Sequence, residues 1–427
     1  MRRMWLASVL ASSALIAPGI AHAQTEAERI RALESRLEAQ DARIAELERL
    51  LNAKLAAPAA SAPAAVAAAP QTGPIASTVL ATVPAPSATT SRLDVSGDFR
   101  LRQEFNWSDA DGRDRSRSVL RARLRASYAV NDIFTVGAQL STGDPDDPNS
   151  TDMTLGEFVD DLNVSLDQAY VRAKVGDLTV TGGKFANPFR RTDLVWDGDV
   201  SPQGVAAAYS TKLGDAKLDV RAMYFLVNEV VAGRGSDMLG GQLGITAPIG
   251  DWSAELAAGY YDYRLRSVAG SDAGDLRSNL LRPNGTYLSD FNLGNVIAGL
   301  IYKGLGAQWP VGLVGEYVHN YGAAVDADDG YSVELFAGRA SSRGDWRLGY
   351  NYAVAENDAV LAAFGQDNFG LATNYRLHAL SLDHVVYENT ILNLTLYHYR
   401  PKDPLYAGTN QPDDWLNRLR VNLLFNF

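Results

Sequence analysis

Arginines recur at alternate positions in two neighbouring stretches, a spacing that could bind or steer anions. Arg121, Arg123 and Arg125 share one parity, whereas leucine, alanine and tyrosine occupy the other. Arg100 and Arg102 repeat the pattern in the preceding stretch, alternating with leucine and phenylalanine. Residues two apart in a β-strand lie on the same face. The five arginines therefore predict a basic ladder on one face of two adjacent strands.

The ladder constrains what surrounds these strands. An arginine that faces lipid at the bilayer midplane costs about 2–4 kcal/mol, so the ladder should face a water-filled interior. There it would favour anions or dipolar solutes. The alternative is that each arginine pairs with a neighbouring carboxylate and has no selective role.

A second candidate segment covers residues 182–207, GGKFANPFRRTDLVWDGDVSPQGVAA. It is too long for a tight turn and too apolar for a wholly solvated loop. We predict a constriction loop that folds into the barrel, packs an aromatic anchor on the wall and turns its aspartates towards the ladder, where opposed charges would orient polar solutes. The alternative is an external loop with solvated acids. The predicted loop residues are Asn187, Pro188, Phe189, Arg190, Arg191, Asp193, Trp196, Asp197 and Asp199.

The elements that must position these residues are strands. Residues 92–427 contain about sixteen alternating segments, separated by short turns and longer polar loops in succession. No apolar run in this region resembles a transmembrane helix, and a closed barrel is the other structure that satisfies the backbone in lipid. We therefore predict an all-β fold, a transmembrane antiparallel β-barrel of about 16 strands. A barrel of this size leaves an aqueous channel, which predicts passive diffusion of small solutes.

The final stretch, residues 415–427, supports this interpretation. It reads WLNRLRVNLLFNF and alternates apolar with polar residues up to the aromatic Phe427. This resembles the last strand of bacterial outer-membrane barrels, whose assembly machinery reads a terminal aromatic residue. We predict that Phe427 is such an assembly signal and that the barrel contacts outer-membrane lipids and lipopolysaccharide.

The beginning of the chain predicts export. Residues 1–23 combine two arginines, a short apolar core and an A-x-A site before Gln24, the pattern of a cleaved signal peptide. The chain has no cysteine, so no disulfide can stabilise the exported protein. Its net charge of −11 argues against nucleic acid as a partner.

Residues 24–55 predict a short α-helical coiled coil in the periplasm. Isoleucine and leucine step by three and four, and arginines at g positions meet acids at the following e positions. This favours a parallel homo-oligomer, and we expect a trimer. The alternative is a lone amphipathic helix packed on the barrel. Residues 56–91 contain six prolines and no charged residue, which predicts an extended linker.

Three stretches carry a resemblance to a known family. They are GKFANPFRRTDLVWDGDVSPQGVA, RLRARLRASYAVND and LDQAYVRAKVGDLTVTGGK, and the similarity is closest over residues 93–208. They resemble the putative-porin family of proteobacterial outer membranes, barrels that often carry an N-terminal coiled coil. Gln203 stands where that pattern has glutamate. The resemblance implies an outer-membrane diffusion channel, and the related phosphate-selective porins suggest a substrate-specific alternative.

Other functions find less support in the sequence. No His-x-Ser-Asn run accompanies the five histidines, so we expect no enzyme, and neither a cofactor nor a metal site is predicted. Four aspartates, Asp144, Asp146, Asp147 and Asp152, crowd one loop, which we expect to be external and solvated. The competing class is a non-conducting structural barrel that tethers layers of the envelope.

Overall fold

The computed structural model describes residues 92–427 except 110–113, 157–160, 232, 268–277 and 408–412. The predicted signal peptide, coiled coil and linker (1–91) lie outside the described residues and stay predictions. No helix in the described ranges is long and apolar enough to cross a membrane.

Sixteen long strands and one two-residue strand form a single closed antiparallel sheet in the described part of the chain. The predicted barrel of about 16 strands is thereby confirmed. The strands are β1 (Leu93–Ser108), β2 (Arg115–Ala129), β3 (Phe134–Thr142), β4 (Met153–Thr154), β5 (Val164–Val175), β6 (Leu178–Lys184), β7 (Gln203–Leu213), β8 (Ala216–Asn228), β9 (Ser236–Ile249), β10 (Trp252–Arg264), β11 (Phe291–Tyr302), β12 (Val311–Asn320), β13 (Asp329–Gly338), β14 (Trp346–Ala355), β15 (Tyr375–Tyr387), β16 (Thr390–Pro401) and β17 (Leu416–Asn426). Two short 3-10 helices, Ala362–Phe364 and Pro404–Tyr406, lie in loops.

The barrel closes where β1 meets β17. Phe99 lies opposite Phe425 in this pairing, and Gly97 exchanges backbone hydrogen bonds of 2.7 and 3.1 Å with Phe427. Consecutive long strands are otherwise neighbours, so the sheet keeps no open edge. The strand β4 pairs with the end of β2 that extends beyond β3.

Burial alternates along the strands, as expected for a barrel in lipid. On β2, Leu124 is 44% exposed, whereas its neighbour Arg123 is 9% exposed. The outward positions of the described strands carry many exposed leucines, valines and aromatic residues. The outer face is therefore apolar, and charged side chains concentrate in the interior.

Short turns close one end of the barrel. Gly176 and Gly214 occupy two of these turns with φ of +57° and +62°, a conformation that glycine adopts without a steric penalty. Two predicted strand ends were too long. Strand β15 begins only at Tyr375, because Asn374 has a φ of +53° and residues 371–374 lie in a loop. Strand β12 begins only at Val311, because the preceding Pro310 has no N–H to donate to a neighbouring strand.

Gly97 offers a test of barrel closure. A Cβ atom at this position would lie 2.6 Å from the carbonyl oxygen of Arg123 and 2.4 Å from the ring of Phe427. We expect Gly97→Ala to reduce the folded fraction, measured as the unheated fast-migrating band in SDS gels. Gly182→Ala is the control, since a Cβ atom there would meet nothing nearer than 3.9 Å. Equal folded yields of the two variants would contradict the prediction.

Candidate functional site

Barrel closure places arginines from β17, β1 and β2 side by side. Arg100 lies directly opposite Arg121 across the β1–β2 pair, and Glu104 lies opposite both Arg117 and Arg420. All the arginines of the predicted ladder point inwards, and four of them are buried. We call this surface the arginine wall, which comprises Arg100, Arg102, Arg117, Arg121, Arg123, Arg125, Arg418 and Arg420.

Two carboxylates within the strands hold the two ends of the wall. Asp98 accepts ion pairs from Arg121, Arg123 and Arg125 at 2.9 to 3.0 Å. Glu104, which is fully buried, pairs with three other arginines at 2.8 to 3.4 Å, namely Arg117, Arg418 and Arg420. The side chains are thus fixed in position, because breaking a buried ion pair by removing one partner costs about 3–5 kcal/mol.

Two further carboxylates reach the wall from loops. Asp152, from the loop between β3 and β5, pairs with Arg100 and with Arg102 (2.5 Å to the latter). Asp199 pairs with Arg123 at 2.7 Å and lies 3.7 Å from Arg121. Thr151 donates a hydrogen bond of 2.9 Å to Asp199 and so connects the two loops. The expectation that Asp152 is solvated was therefore wrong, because the loop turns inwards to pair it with two buried arginines.

Residues 185–202, here called the first inner loop, fold into the barrel. The loop is closed at its base by a hydrogen bond of 2.9 Å from the Phe185 amide to the Pro202 carbonyl. Asn187 accepts a hydrogen bond from the Phe189 amide at 3.0 Å, which forms a tight turn around Pro188. Arg190 reaches the opposite wall, where its Nε atom donates to Glu255 at 2.7 Å.

Trp196 anchors the first inner loop. Its side chain is 1% exposed and contacts Tyr261 on the wall edge-on, with ring centroids 5.7 Å apart. On its other side it stacks on Phe364 at 6.0 Å. Burial of an indole among aromatic rings stabilises the docked loop through apolar area and ring geometry. The aromatic anchor that the sequence predicts is therefore present in the interior.

Phe364 belongs to a second segment that the sequence analysis missed. Residues 356–374, here called the second inner loop, are also largely buried. The Asp197 amide donates to the Phe364 carbonyl at 2.8 Å, and Asn368 accepts from Arg420 at 3.1 Å. The second inner loop thus contacts both the first inner loop and the arginine wall. A run of apolar residues between two strands, AVLAAF, was the available signal.

The three aspartates of the first inner loop have different surroundings. Only Asp199 contacts the arginine wall. Asp193 lies 3.9 Å from Arg191 and accepts a hydrogen bond from Asn368 at 3.2 Å, and Asp197 accepts from the Asp199 amide at 2.7 Å. Of the three, only Asp199 faces the ladder, because the Asp193 carboxylate bonds to Asn368 of the second inner loop and the Asp197 carboxylate bonds within the first inner loop.

These surroundings shift the acidities of the loop aspartates in opposite directions. Burial would raise the pKa of Asp199, but Arg123, Arg121 and Arg100 outweigh it and hold the pKa below the ordinary value. Burial, opposed by Arg191 and assisted by the charges of Glu334 and Asp367, raises the pKa of Asp193 to about 7. Burial also raises the pKa of Asp197, assisted by the charges of Asp367 and Asp199.

The raised pKa values of Asp193 and Asp197 predict pH-dependent docking of the first inner loop. The docked loop binds protons at Asp193 and Asp197 that a solvated loop, with aspartate pKa values of about 3.9, releases. Docking therefore weakens as the pH rises from about 4 to 7. We expect current fluctuations in bilayer recordings to be at least about tenfold more frequent at pH 8 than at pH 5, since one pKa unit corresponds to a tenfold change.

The matched variants make this test specific. Asp193→Asn/Asp197→Asn should abolish most of the pH dependence, whereas Asp146→Asn, an exposed carboxylate, should retain it. A wild-type record that is equally quiet at both pH values would contradict the prediction.

Comparisons with known proteins agree with this architecture. A sequence profile of the family described as "Putative porin" matches residues 108–279, which confirms the predicted resemblance. Among curated proteins, none is similar enough in sequence to count as a relative.

Comparison with solved structures returns several matches at low sequence identity. Pseudomonas putida OprB superposes with a TM-score of 0.53 at 14% identity, covering 78% of this chain and 94% of that one. The outer membrane channel DcaP of Acinetobacter baumannii gives 0.46 at 15% identity, covering 78% and 97%. The trimer form of OmpT from Vibrio cholerae gives 0.47 at 12% identity, covering 78% and 99%.

The described part of the chain is therefore a porin-like β-barrel of the outer membrane. Its inward arginines, its two inner loops and its apolar outer face all fit this class. The family match extends over β2 to β10 and includes the first inner loop.

Proposed function

We propose that this protein is a channel through which small hydrophilic solutes diffuse passively, with a preference for anions. The observation that carries the proposal is the charge of the arginine wall. Eight arginines are linked to four carboxylates, Asp98, Glu104, Asp152 and Asp199, which leaves this linked set with a surplus of four positive charges. A surplus of one sign in a narrow passage raises the local concentration of the opposite ion.

The first inner loop would form the constriction in this proposal. It crosses the interior from the arginine wall, contacted by Asp199, to the opposite wall, contacted by Arg190. Solutes that enter the barrel would pass beside this loop. The ion pairs at both ends explain how an irregular segment keeps one position.

The proposal also includes an orientation and an assembly state. The start of β1 lies at the end of the barrel that carries the short turns, such as the turn at Gly176. In outer-membrane barrels the short turns lie on the periplasmic side. The predicted coiled coil would then project into the periplasm and join the chains as a parallel homo-oligomer, which we propose to be a trimer.

Planar-bilayer recordings of the purified, folded protein test the channel. We expect stepwise conductance and a reversal potential under a KCl gradient whose sign reports anion preference. A folded protein that yields no conductance steps would favour the structural tether instead.

The arginine wall predicts the outcome of a charge deletion. Arg121→Ala/Arg123→Ala lowers the surplus from four positive charges to two, and we expect the anion-to-cation permeability ratio to fall by about threefold. A unit charge about 8 Å away contributes roughly 0.5 kcal/mol in water before screening by salt. Exposed Arg343→Ala, on a short turn, is the control. An unchanged ratio in the double variant would assign the arginines a structural role only.

A further inference from the structure

The hairpin formed by β12 and β13 carries three metal-ligating side chains outside the interior. The Nδ1 atom of His319 lies 2.9 Å from an oxygen of Asp329 and 4.0 Å from an oxygen of Asp328. One ligand atom from each residue lies within 4.8 Å of the others. In a tetrahedral zinc site with bonds of about 2.0–2.2 Å, neighbouring ligand atoms are about 3.3 Å apart. The observed distances bracket this value, so small side-chain rotations would complete the site.

The backbone register fixes two of these residues beside each other. His319 lies directly opposite Asp329 in the β12–β13 pair. The neighbours of His319 in the strand, Val318 and Asn320, are buried in the interior, whereas Tyr317 is 46% exposed. His319 therefore faces outwards, and its strand ends at the rim opposite the short turn that precedes β12. The cluster is separate from the arginine wall and from the first inner loop, and it adjoins the second inner loop at Glu356.

Neighbouring side chains hold the ligands in place. The Tyr317 hydroxyl donates a hydrogen bond of 2.7 Å to Asp329, and the Tyr321 ring packs edge-on against the imidazole at 4.6 Å. Such contacts orient ligands in metal sites and raise affinity. Glu356 accepts a hydrogen bond from the Asp329 amide at 2.9 Å and pairs with Lys402. Because Lys402 offsets Glu356, the two aspartates leave the local charge negative, which favours a bound cation.

We propose that His319, Asp328 and Asp329 form a binding site for a divalent ion of the zinc class on the outer rim. One imidazole with two carboxylates suits zinc, nickel or copper, whereas magnesium and calcium prefer oxygen ligands throughout. Three protein ligands leave a fourth tetrahedral position open to water or to an oxygen of an external molecule. The site does not depend on conduction, so the channel proposal and this one can fail separately.

Zinc titration by calorimetry tests the site on the folded, detergent-solubilised protein without a histidine tag. We expect one zinc ion per chain, with weak binding of magnesium. His319→Ala and Asp329→Asn should each weaken zinc binding by at least about tenfold, the scale on which even supporting residues act. His398→Ala is the matched control, since that imidazole contacts Asn417 rather than a carboxylate.

A second measurement distinguishes the loss of a zinc ligand from misfolding of the variant. Cobalt(II) substituted into the site should give visible absorption bands that disappear in His319→Ala, while the unheated gel mobility of each variant reports folding. The proposal is overturned if the wild type binds no zinc. It is equally overturned if folded His319→Ala binds zinc as tightly as the wild type does.

Discussion

Replacing both loop carboxylates of the arginine wall, Asp152→Asn/Asp199→Asn, should increase anion preference by at least about threefold. The two substitutions raise the surplus on the wall from four positive charges to six. Each added charge acts on a passing ion with roughly 0.5 kcal/mol at about 8 Å in water, and the effect has opposite sign for cations. Salt in the recording buffer screens part of this interaction. We therefore expect the increase in anion preference to be smallest, about threefold, at high ionic strength.

The measurement is the reversal potential under a KCl gradient, repeated at two salt concentrations. Asp146→Asn serves as the control because it removes a carboxylate from the same loop as Asp152 at an exposed position. The selectivity of the double variant should also depend more steeply on salt than that of the wild type. If selectivity is the same in all three proteins, Asp152 and Asp199 do not face the permeation path.

Trp196→Ala should release the first inner loop and produce a larger, noisier conductance. The indole is nearly completely buried between Tyr261 and Phe364, and replacing a buried tryptophan by alanine costs about 3–5 kcal/mol. Because the barrel wall does not depend on this loop for its backbone hydrogen bonds, the loss should fall on docking. A change of 3 kcal/mol shifts the docking equilibrium on the order of a hundredfold.

Trp309→Ala is the control for removal of an indole, since Trp309 is 48% exposed on a turn. Protease susceptibility of the first inner loop provides a second measurement that needs no bilayer. A Trp196→Ala protein with wild-type conductance and an uncleaved loop would show that other contacts suffice to hold the loop.

The sequence predicted the parts of the site that lie on strands, where apolar and polar residues alternate regularly. Alternation along β1 and β2 placed Arg100 and Arg121 in the interior, and the strand boundaries mostly agree within a few residues. The length and apolar content of residues 182–207 also predicted an inward fold with Trp196 buried. The inference about the strands was possible because a strand in lipid tolerates one pattern only, with apolar residues outside and polar residues inside.

Contacts made by loop residues could not be predicted in the same way. Asp152 meets Arg100 across 52 positions of chain, and no periodicity constrains the loop that carries it. The second inner loop was also not predicted, although its apolar run AVLAAF resembles the apolar residues of the first inner loop in lying between two strands. Alternation along β17 predicts that Arg418 and Arg420 lie on its polar face. Their position beside the arginines of β1 follows only from the pairing of β17 with β1.

The pairing of β1 with β17 also has a consequence for biogenesis. Asp98 meets Asn426, so the first strand finds its second neighbour only after translation and export of the last one. Until then β1 exposes one row of unpaired backbone groups, which invites aggregation with other chains. Pairing of β1 with other chains must therefore be prevented until β17 is present, and a chain that ends before β17 would keep this edge open.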